Sequence, residues 1–149
     1  MSYITVLPLV KAVLEDVTDV VNVYDYLRYV KDLTTRDARF LDSDNNRVHT
    51  WMITRDEAPS EGALDGDVTR IHQFKLHGYY EVNDYIASEK NFQQLADNVM
   101  DAFNDNRELS QFSNIADSSQ LVGFVNEMFC GVLCHHCIIG ITIEDDVDP

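Results

Sequence analysis

The residues best suited to chemistry in this chain lie together near its end. In residues 132–140 (VLCHHCIIG), Cys134 and Cys137 flank His135 and His136. Thiolates and imidazoles bind zinc, and thiols carry redox chemistry, so this segment could hold a metal or a reactive cysteine. The same segment is strongly apolar, as a buried strand would be. These two interpretations lead to different classes of protein.

Strand geometry separates the four groups. Successive side chains of a strand point to opposite faces, so His135 and Cys137 share one face while Cys134 and His136 share the other. The four side chains therefore cannot converge on one ion while the segment stays extended. The C-x-x-C spacing also lacks the second ligand pair of a structural zinc site. Because free cysteine packs as a small hydrophobe, we expect a packed strand with no catalytic, cofactor-binding or metal-binding residue.

A second hypothesis, from another class, is a small His/Cys metalloprotein. It would use His135, His136 and Cys134 or Cys137, with His49 or His72 from other predicted strands. Structural metal sites of that kind bind their ion tightly. The sequence gives no sign that these distant histidines meet, and it leaves His77 on a predicted strand as well.

Other motifs point away from catalysis. Residues 42–47 (DSDNNR) begin like a calcium loop, but Arg47 stands where glycine is required and Ile53 where a bidentate glutamate is required. We therefore predict a turn there. The chain has no P-loop, G-x-G-x-x-G, G-x-S-x-G or H-E-x-x-H pattern, and we expect that it is not an enzyme.

Amino-acid composition narrows the remaining classes of protein. The 149 residues carry 11 Lys and Arg against 26 Asp and Glu, a formal charge of −15. Such a balance opposes tight binding to phosphate backbones. No apolar run is long enough to span a bilayer, no signal peptide is recognisable, and the three local cysteines indicate free thiols in a reducing compartment. We expect one domain, residues 1–149.

Periodicity predicts an α+β fold in one domain, with a largely antiparallel sheet of about four strands and two main helices packed on it. Ser88 is expected to cap the second helix, and Cys130–Gly131 to form a tight turn between the last two strands. The predicted helices are 8–33 and 88–106, the strands are 48–54, 68–80, 120–129 and 132–144, a solvated acidic loop covers 55–67, and a frayed tail covers 144–149.

Residues 70–109 resemble the central segment of tail-completion, or tail-terminator, proteins of long-tailed bacteriophages and gene-transfer particles. A strand with the pattern H-x-F-x-x-x-G-Y leads into an S-E-x-x-F helix start, and the helix closes with F-x-x-N-x-x-L. A late Cys-His strand is also similar. The matching residues are His72, Phe74, Gly78, Tyr79, Ser88, Glu89, Phe92, Phe103, Asn106, Leu109, Cys134 and His135.

The resemblance implies an α/β fold, no active-site residues and a homo-oligomeric ring, expected to be a hexamer, that caps the tail tube at the neck. Its partners would be further copies of itself, the tail-tube protein and a neck (head–tail) connector, and it would lie in the virion tail after assembly in the host cytoplasm. DNA can pass through such a ring without specific binding. A head-proximal neck adaptor is the alternative within the virion class.

A ring must bury edges or patches between copies. The sequence offers three candidates for that contact: paired strand edges, the 55–67 loop, and the tyrosines of the first helix, Tyr24, Tyr26 and Tyr29.

Overall fold

The computed structural model describes residues 3–28, 32–55, 61–62, 68–109, 113–115 and 119–147, and they form an α+β fold. The helices are α1 (Tyr3–Glu15), α2 (Leu33–Phe40) and α3 (Ser88–Asp105), with a short 3₁₀ turn at Asp84–Ile86. The strands are β1 (Val23–Tyr24), β2 (Leu41–Asp42), β3 (Arg47–Arg55), β4 (Glu61–Gly62), β5 (Val68–Glu81), β6 (Ser113–Ile115), β7 (Gln120–Phe129) and β8 (Val132–Val147).

The sheet is mixed and larger than the four antiparallel strands that we predicted. Its order is β1-β3-β5-β8, and both β6 and β7 pair with the far edge of β8. The β1–β3 pairing is parallel, and the other pairings between described strands are antiparallel. The strands that we missed have only two or three residues, too short for an alternating pattern to reveal. The third helix, α2, was also missed.

Strand β8 lies inside the sheet. It pairs with β5 from Val147 opposite Val68 to Cys134 opposite Glu81. It also forms a hairpin with β7 through Cys130 and Gly131, whose φ angles of 52° and 83° suit a type I′ turn. The predicted strands 120–129 and 132–144 and their turn are thus confirmed. The frayed tail was wrong as far as residue 147, because the pairing with β5 continues; residues 148–149 lie outside the described part.

The predicted helix 8–33 was wrong. Helix α1 begins at Tyr3, so Pro8 lies inside it and not in the first turn, and the helix ends at Glu15. Beyond it, Asp19 and Asn22 have φ angles of 73° and 53°. These left-handed residues turn the chain into β1, and the β-branched valines of this stretch favour extended backbone over helix.

Two apolar layers enclose the sheet. Helices α1 and α3 cover one face, where their buried residues join Trp51, Phe74 and the isoleucines of β8. Helix α2 covers part of the other face, where Phe40 packs with Val48, Met52 and Cys134. Helix spacing explains α3: Phe92, Leu95, Ala96, Val99 and Phe103 form one buried stripe.

Some of the remaining sequence predictions are confirmed, and others concern residues outside the described part. Strands 48–54 and 68–80 and helix 88–106 are confirmed to within a residue or two, and residues 43–46 form the predicted turn. Most of loop 55–67, including Glu57, Asp65 and Asp67, lies outside the described residues, as does Tyr29. No described helix combines the length and apolarity that crossing a bilayer requires.

Gly78 gives a test of this packing. A Cβ there would lie 2.8 Å from Cη2 of Trp51 and 2.9 Å from Cζ of Phe92. We expect Gly78→Ala to lower the free energy of unfolding by about 1–3 kcal/mol, because two buried rings must move. Gly123→Ala is the control, since its Cβ would meet only Cδ1 of Ile138 at 3.9 Å. Urea denaturation measures both, and equal stability of the two variants would contradict the packing.

Candidate functional site

The Cys134–Cys137 segment is extended, and its side chains point to opposite faces of the sheet as the sequence predicts. All four side chains are buried: the two cysteines are fully inaccessible, and His135 and His136 are 2% and 8% exposed. Cys137 packs in the core under α1 and α3, whereas Cys134 packs under α2. The two histidines therefore face different layers, and each has its own polar partners.

His135 links β7 to the start of α3. Its Nδ1 lies 2.6 Å from Oδ1 of Asn126, and its Nε2 lies 2.8 Å from Oγ of Ser88. Because an amide oxygen only accepts, Nδ1 carries the proton and Nε2 accepts from the Ser88 hydroxyl. Ser88 Oγ in turn accepts the backbone N–H of Asn83 at 2.8 Å. Both ring nitrogens of His135 and the hydroxyl of Ser88 therefore have hydrogen-bond partners.

These bonds also correct the predicted helix cap. The residue at the N-cap of α3 is Ala87, in the left-handed region with φ 53°, and it makes no side-chain capping bond. Ser88 is the first residue of the helix and turns its hydroxyl inward to His135. The sequence showed a good capping residue but not the buried imidazole that uses its hydroxyl.

Ser88, His135 and Asn126 have the hydrogen-bond order of a nucleophilic triad. A nucleophile must meet its substrate, yet Ser88 is 1% exposed and His135 is 2% exposed. Neither lines either of the two clefts described below. In this conformation no carbonyl can approach Oγ, so the three residues connect β7, β8 and α3.

His136 starts a second polar chain on the opposite face. Its Nδ1 donates to the Glu127 carboxylate, and its Nε2 lies 3.0 Å from Nδ1 of His77. Nε2 of His77 lies 3.1 Å from Oγ1 of Thr54. These residues belong to β7, β8, β5 and β3, four strands that are neighbours in the sheet. One direction satisfies all the bonds: Thr54 donates to His77, His77 to His136, and His136 to Glu127.

Burial keeps both rings of this chain neutral at pH 7. Loss of solvent lowers the pKa of His77 to about 4, and the nearby His136 adds to that lowering. Burial also lowers the pKa of His136, with Glu127 opposing the effect. The ring of Tyr79 stacks on His136 at 4.3 Å and on Phe129 at 4.0 Å. The second chain is thus a neutral, ring-covered link across the sheet.

The thiols and imidazoles of the segment do not form a metal centre in this arrangement. Burial raises the pKa of Cys134 and of Cys137 to about 12, and the two thiols lie on opposite faces of the sheet. Within the described ranges, no three His, Cys, Asp or Glu side chains are placed to hold one ion. Of the histidines named in the metalloprotein hypothesis, His49 lies beside Trp51 and His72 beside Tyr3 and Phe74.

Two clefts open on the described surface. The larger, about 520 Å³, lies between α3 and the β2–β3 turn, and His49 is at its edge. Nε2 of His49 accepts the indole N–H of Trp51 at 3.0 Å, and burial lowers the pKa of His49 to about 4. Asp42 uses its carboxylate within the turn, where it accepts from Asp44 and Asn45. Other polar groups of the lining bond to one another or to the backbone: Arg47 donates to the Tyr80 hydroxyl, Asn91 to the Ile86 carbonyl and Gln94 to Asn98. The smaller cleft lies between α1 and α3.

Strand β7 carries the largest group of exposed apolar side chains in the described part. On it and the adjoining start of β8, five such residues are 46% to 65% exposed: Leu121, Val122, Val125, Met128 and Leu133. Its inner edge pairs with β8, and no described strand pairs with its outer edge. The strand has no Lys or Pro, and Glu127 is its one charged residue. Its protection against pairing with another chain is limited to that one charge and to an irregularity of register between Leu121 and Gly123.

The sequence predicted the strand but not its exposure. Apolar residues on both faces, such as Leu121, Val122, Phe124 and Val125, were the available signal. In most sheets that pattern marks a strand covered on both sides, and here the β7 residues remain largely open.

Comparisons with known proteins add no relative. The chain matches no protein-family model. A search of curated proteins also gives no significant match.

Thiol reactivity tests the packing of the segment. We expect only Cys130, which is partly exposed, to react with a thiol reagent at pH 8 in the folded protein. Cys134 and Cys137 should react only in urea, because they are buried and protonated. Cys130→Ser should then abolish the reaction of the folded protein. Rapid reaction of all three thiols without denaturant would contradict a packed strand.

The buried His49 predicts a pH dependence of stability. Its folded pKa of about 4 lies below the unfolded value of 6.5, so only the unfolded state takes up a proton as the pH falls between them. The free energy of unfolding should drop over that window, by up to about 3 kcal/mol from this residue. His49→Gln keeps an acceptor for Trp51 but does not titrate. The variant should therefore lose less stability between pH 7 and pH 4, and identical pH profiles by urea denaturation would contradict the assignment.

Proposed function

We propose that this chain is a virion structural protein, a tail-completion (tail-terminator) protein of a long-tailed bacteriophage or gene-transfer particle. It forms a homo-oligomeric ring, expected to be a hexamer, that caps the tail tube and joins it to the neck. The observation that carries the proposal is the open edge of β7. A ten-residue strand whose outer edge pairs with no described strand, and whose apolar side chains are exposed, is suited to bury itself against another protein.

The residues of the family resemblance support a structural role. Gly78 lets Trp51 and Phe92 approach the sheet, and Phe92 and Phe103 are fully buried. Ser88 bonds to His135, which joins the central helix motif to the late Cys-His strand. Phe74, Phe92 and Phe103 thus share one core cluster and Tyr79 and Cys134 the other, whereas Glu89 and Asn106 are exposed.

Charge is compatible with a channel for DNA. The net charge of −15 gives phosphates few attachment points, so DNA can pass without being held. The same charge makes self-association unfavourable wherever acidic surfaces meet. Strand β7, with one carboxylate in ten residues, is a place where copies can meet at little electrostatic cost. In this proposal the partners are further copies, the tail-tube protein and the neck connector, within the virion.

Oligomer mass and tube binding test the function. Native mass spectrometry should give a closed oligomer of the 17.1 kDa chain, alone or after addition of tail tubes from the same particle. Electron microscopy should then place the ring at tube ends. A chain that binds connector but never tubes would be a neck adaptor instead. A strict monomer that ignores both partners would contradict the virion role.

Val125→Asp with Met128→Asp tests the edge itself. We expect the double variant to weaken self-association at least tenfold, because two carboxylates replace apolar side chains that must be desolvated. Ser43→Asp with Gln93→Asp adds the same charge at exposed positions away from β7 and should leave assembly intact. Sedimentation velocity compares them, with melting curves to show that both variants fold. Equal assembly by the two variants would exclude the β7 edge as the contact.

A further inference from the structure

A second exposed apolar patch lies at the other end of the strand order from β7. Directly after β1, Tyr26 and Leu27 are 55% and 49% exposed. Strand β1 is the first strand of the sheet order β1-β3-β5-β8, and β7 lies beyond β8. Exposed apolar patches of this kind mark interaction sites more often than chance surface. These two patches lie at opposite ends of the strand order, and a third exposed pair, Tyr85 and Ile86, lies in the 3₁₀ turn before α3.

The two patches differ in their charged residues: β7 has only a carboxylate, whereas Tyr26 and Leu27 stand between Asp25 and Arg28. Glu127 is the one charged residue of β7, and its carboxylate is partly exposed. Next to Tyr26, the guanidinium of Arg28 lies over the rings of Tyr24 and Tyr26, at 4.7 Å and 5.5 Å from their centroids. Arg28 makes no ion pair with any carboxylate of the described residues. A cation held on aromatic rings at an apolar surface can accept a carboxylate from another chain.

Resting on the proposed ring, we propose that the β7 edge of one copy docks on Tyr26–Leu27–Arg28 of the next copy. Such a contact joins two different surfaces, so it is heterologous and repeats from copy to copy until the ring closes. Pairing of β7 with β7 would instead give an isolated pair, and both Glu127 carboxylates would enter one interface. In a chain with 15 excess negative charges, the contact that matches Glu127 with Arg28 is electrostatically favoured.

Complementation between two variants tests this contact. The first variant is Val125→Asp with Met128→Asp, which damages the β7 edge and leaves the Tyr26–Arg28 patch intact. The second is Tyr26→Asp with Leu27→Asp, which damages the patch and leaves β7 intact. All four side chains are 49% to 65% exposed, so both variants should fold. The measurement is native mass spectrometry of each variant and of their mixture, with the first variant labelled with ¹⁵N, under the conditions in which the unmodified chain assembles.

A head-to-tail contact predicts one specific pattern. Each variant alone should be monomeric, because each lacks one half of the contact. The mixture should form a 1:1 heterodimer and nothing larger, because only the intact β7 of one and the intact patch of the other remain. A self-dimer of the second variant, or a mixture without heterodimer, would overturn the proposal.

Failure of this contact is distinguishable from failure of the proposed function. If both variants still form the full ring, the ring stands and the contact lies elsewhere, which overturns this inference and the role of the β7 edge but not the ring. If the unmodified chain is monomeric even at tail-tube ends, the proposed function itself is lost.

Discussion

Two neighbouring imidazoles are buried on opposite faces of an interior strand, and each needs hydrogen-bond partners for both of its ring nitrogens. An unsatisfied buried polar atom costs about 1–3 kcal/mol, so such groups nearly always have partners. His135 obtains them from Asn126 and Ser88, and His136 from Glu127 and His77. The doubled histidine thereby fixes β7 against β8 on one side through an amide and on the other through a carboxylate. This constraint accounts for residues that would otherwise suggest catalysis or metal binding.

The two polar chains also explain how β7 can remain open. A strand whose outer edge is unpaired and whose side chains are mostly exposed has little burial to hold it in place. Here Asn126 and Glu127, adjacent residues on β7, are each anchored to an interior histidine. Phe124 adds a partly buried ring against the core. The strand is therefore held from its inner side and leaves its outer edge available to another protein, as the proposed ring would require.

The sequence predicted long elements well and partners poorly. Strands β3, β5, β7 and β8 and helix α3 follow from residue patterns over seven residues or more, and Cys130–Gly131 was predicted as the tight turn of the hairpin. The predicted first helix was too long because the valines after Glu15 continue its apolar pattern. In the structure, the left-handed backbone at Asp19 and Asn22 interrupts that pattern. For the candidate site, alternation gave the faces of His135 and His136. Their hydrogen-bond partners depend on the register of the strands and on the position of α3. Neither can be predicted from the residues next to the two histidines.

The central claim is that these histidines are neutral structural links whose hydrogen bonds fix their tautomers. The most direct measurement is a long-range ¹H–¹⁵N correlation spectrum of the histidine rings at pH 7. It should show the Nδ1–H tautomer for all three rings. His135 donates from Nδ1 to Asn126, His136 donates from Nδ1 to Glu127, and His77 donates from Nδ1 to His136. Imidazolium rings, Nε2–H tautomers at these three positions, or shifts that show a bound metal ion would contradict the account.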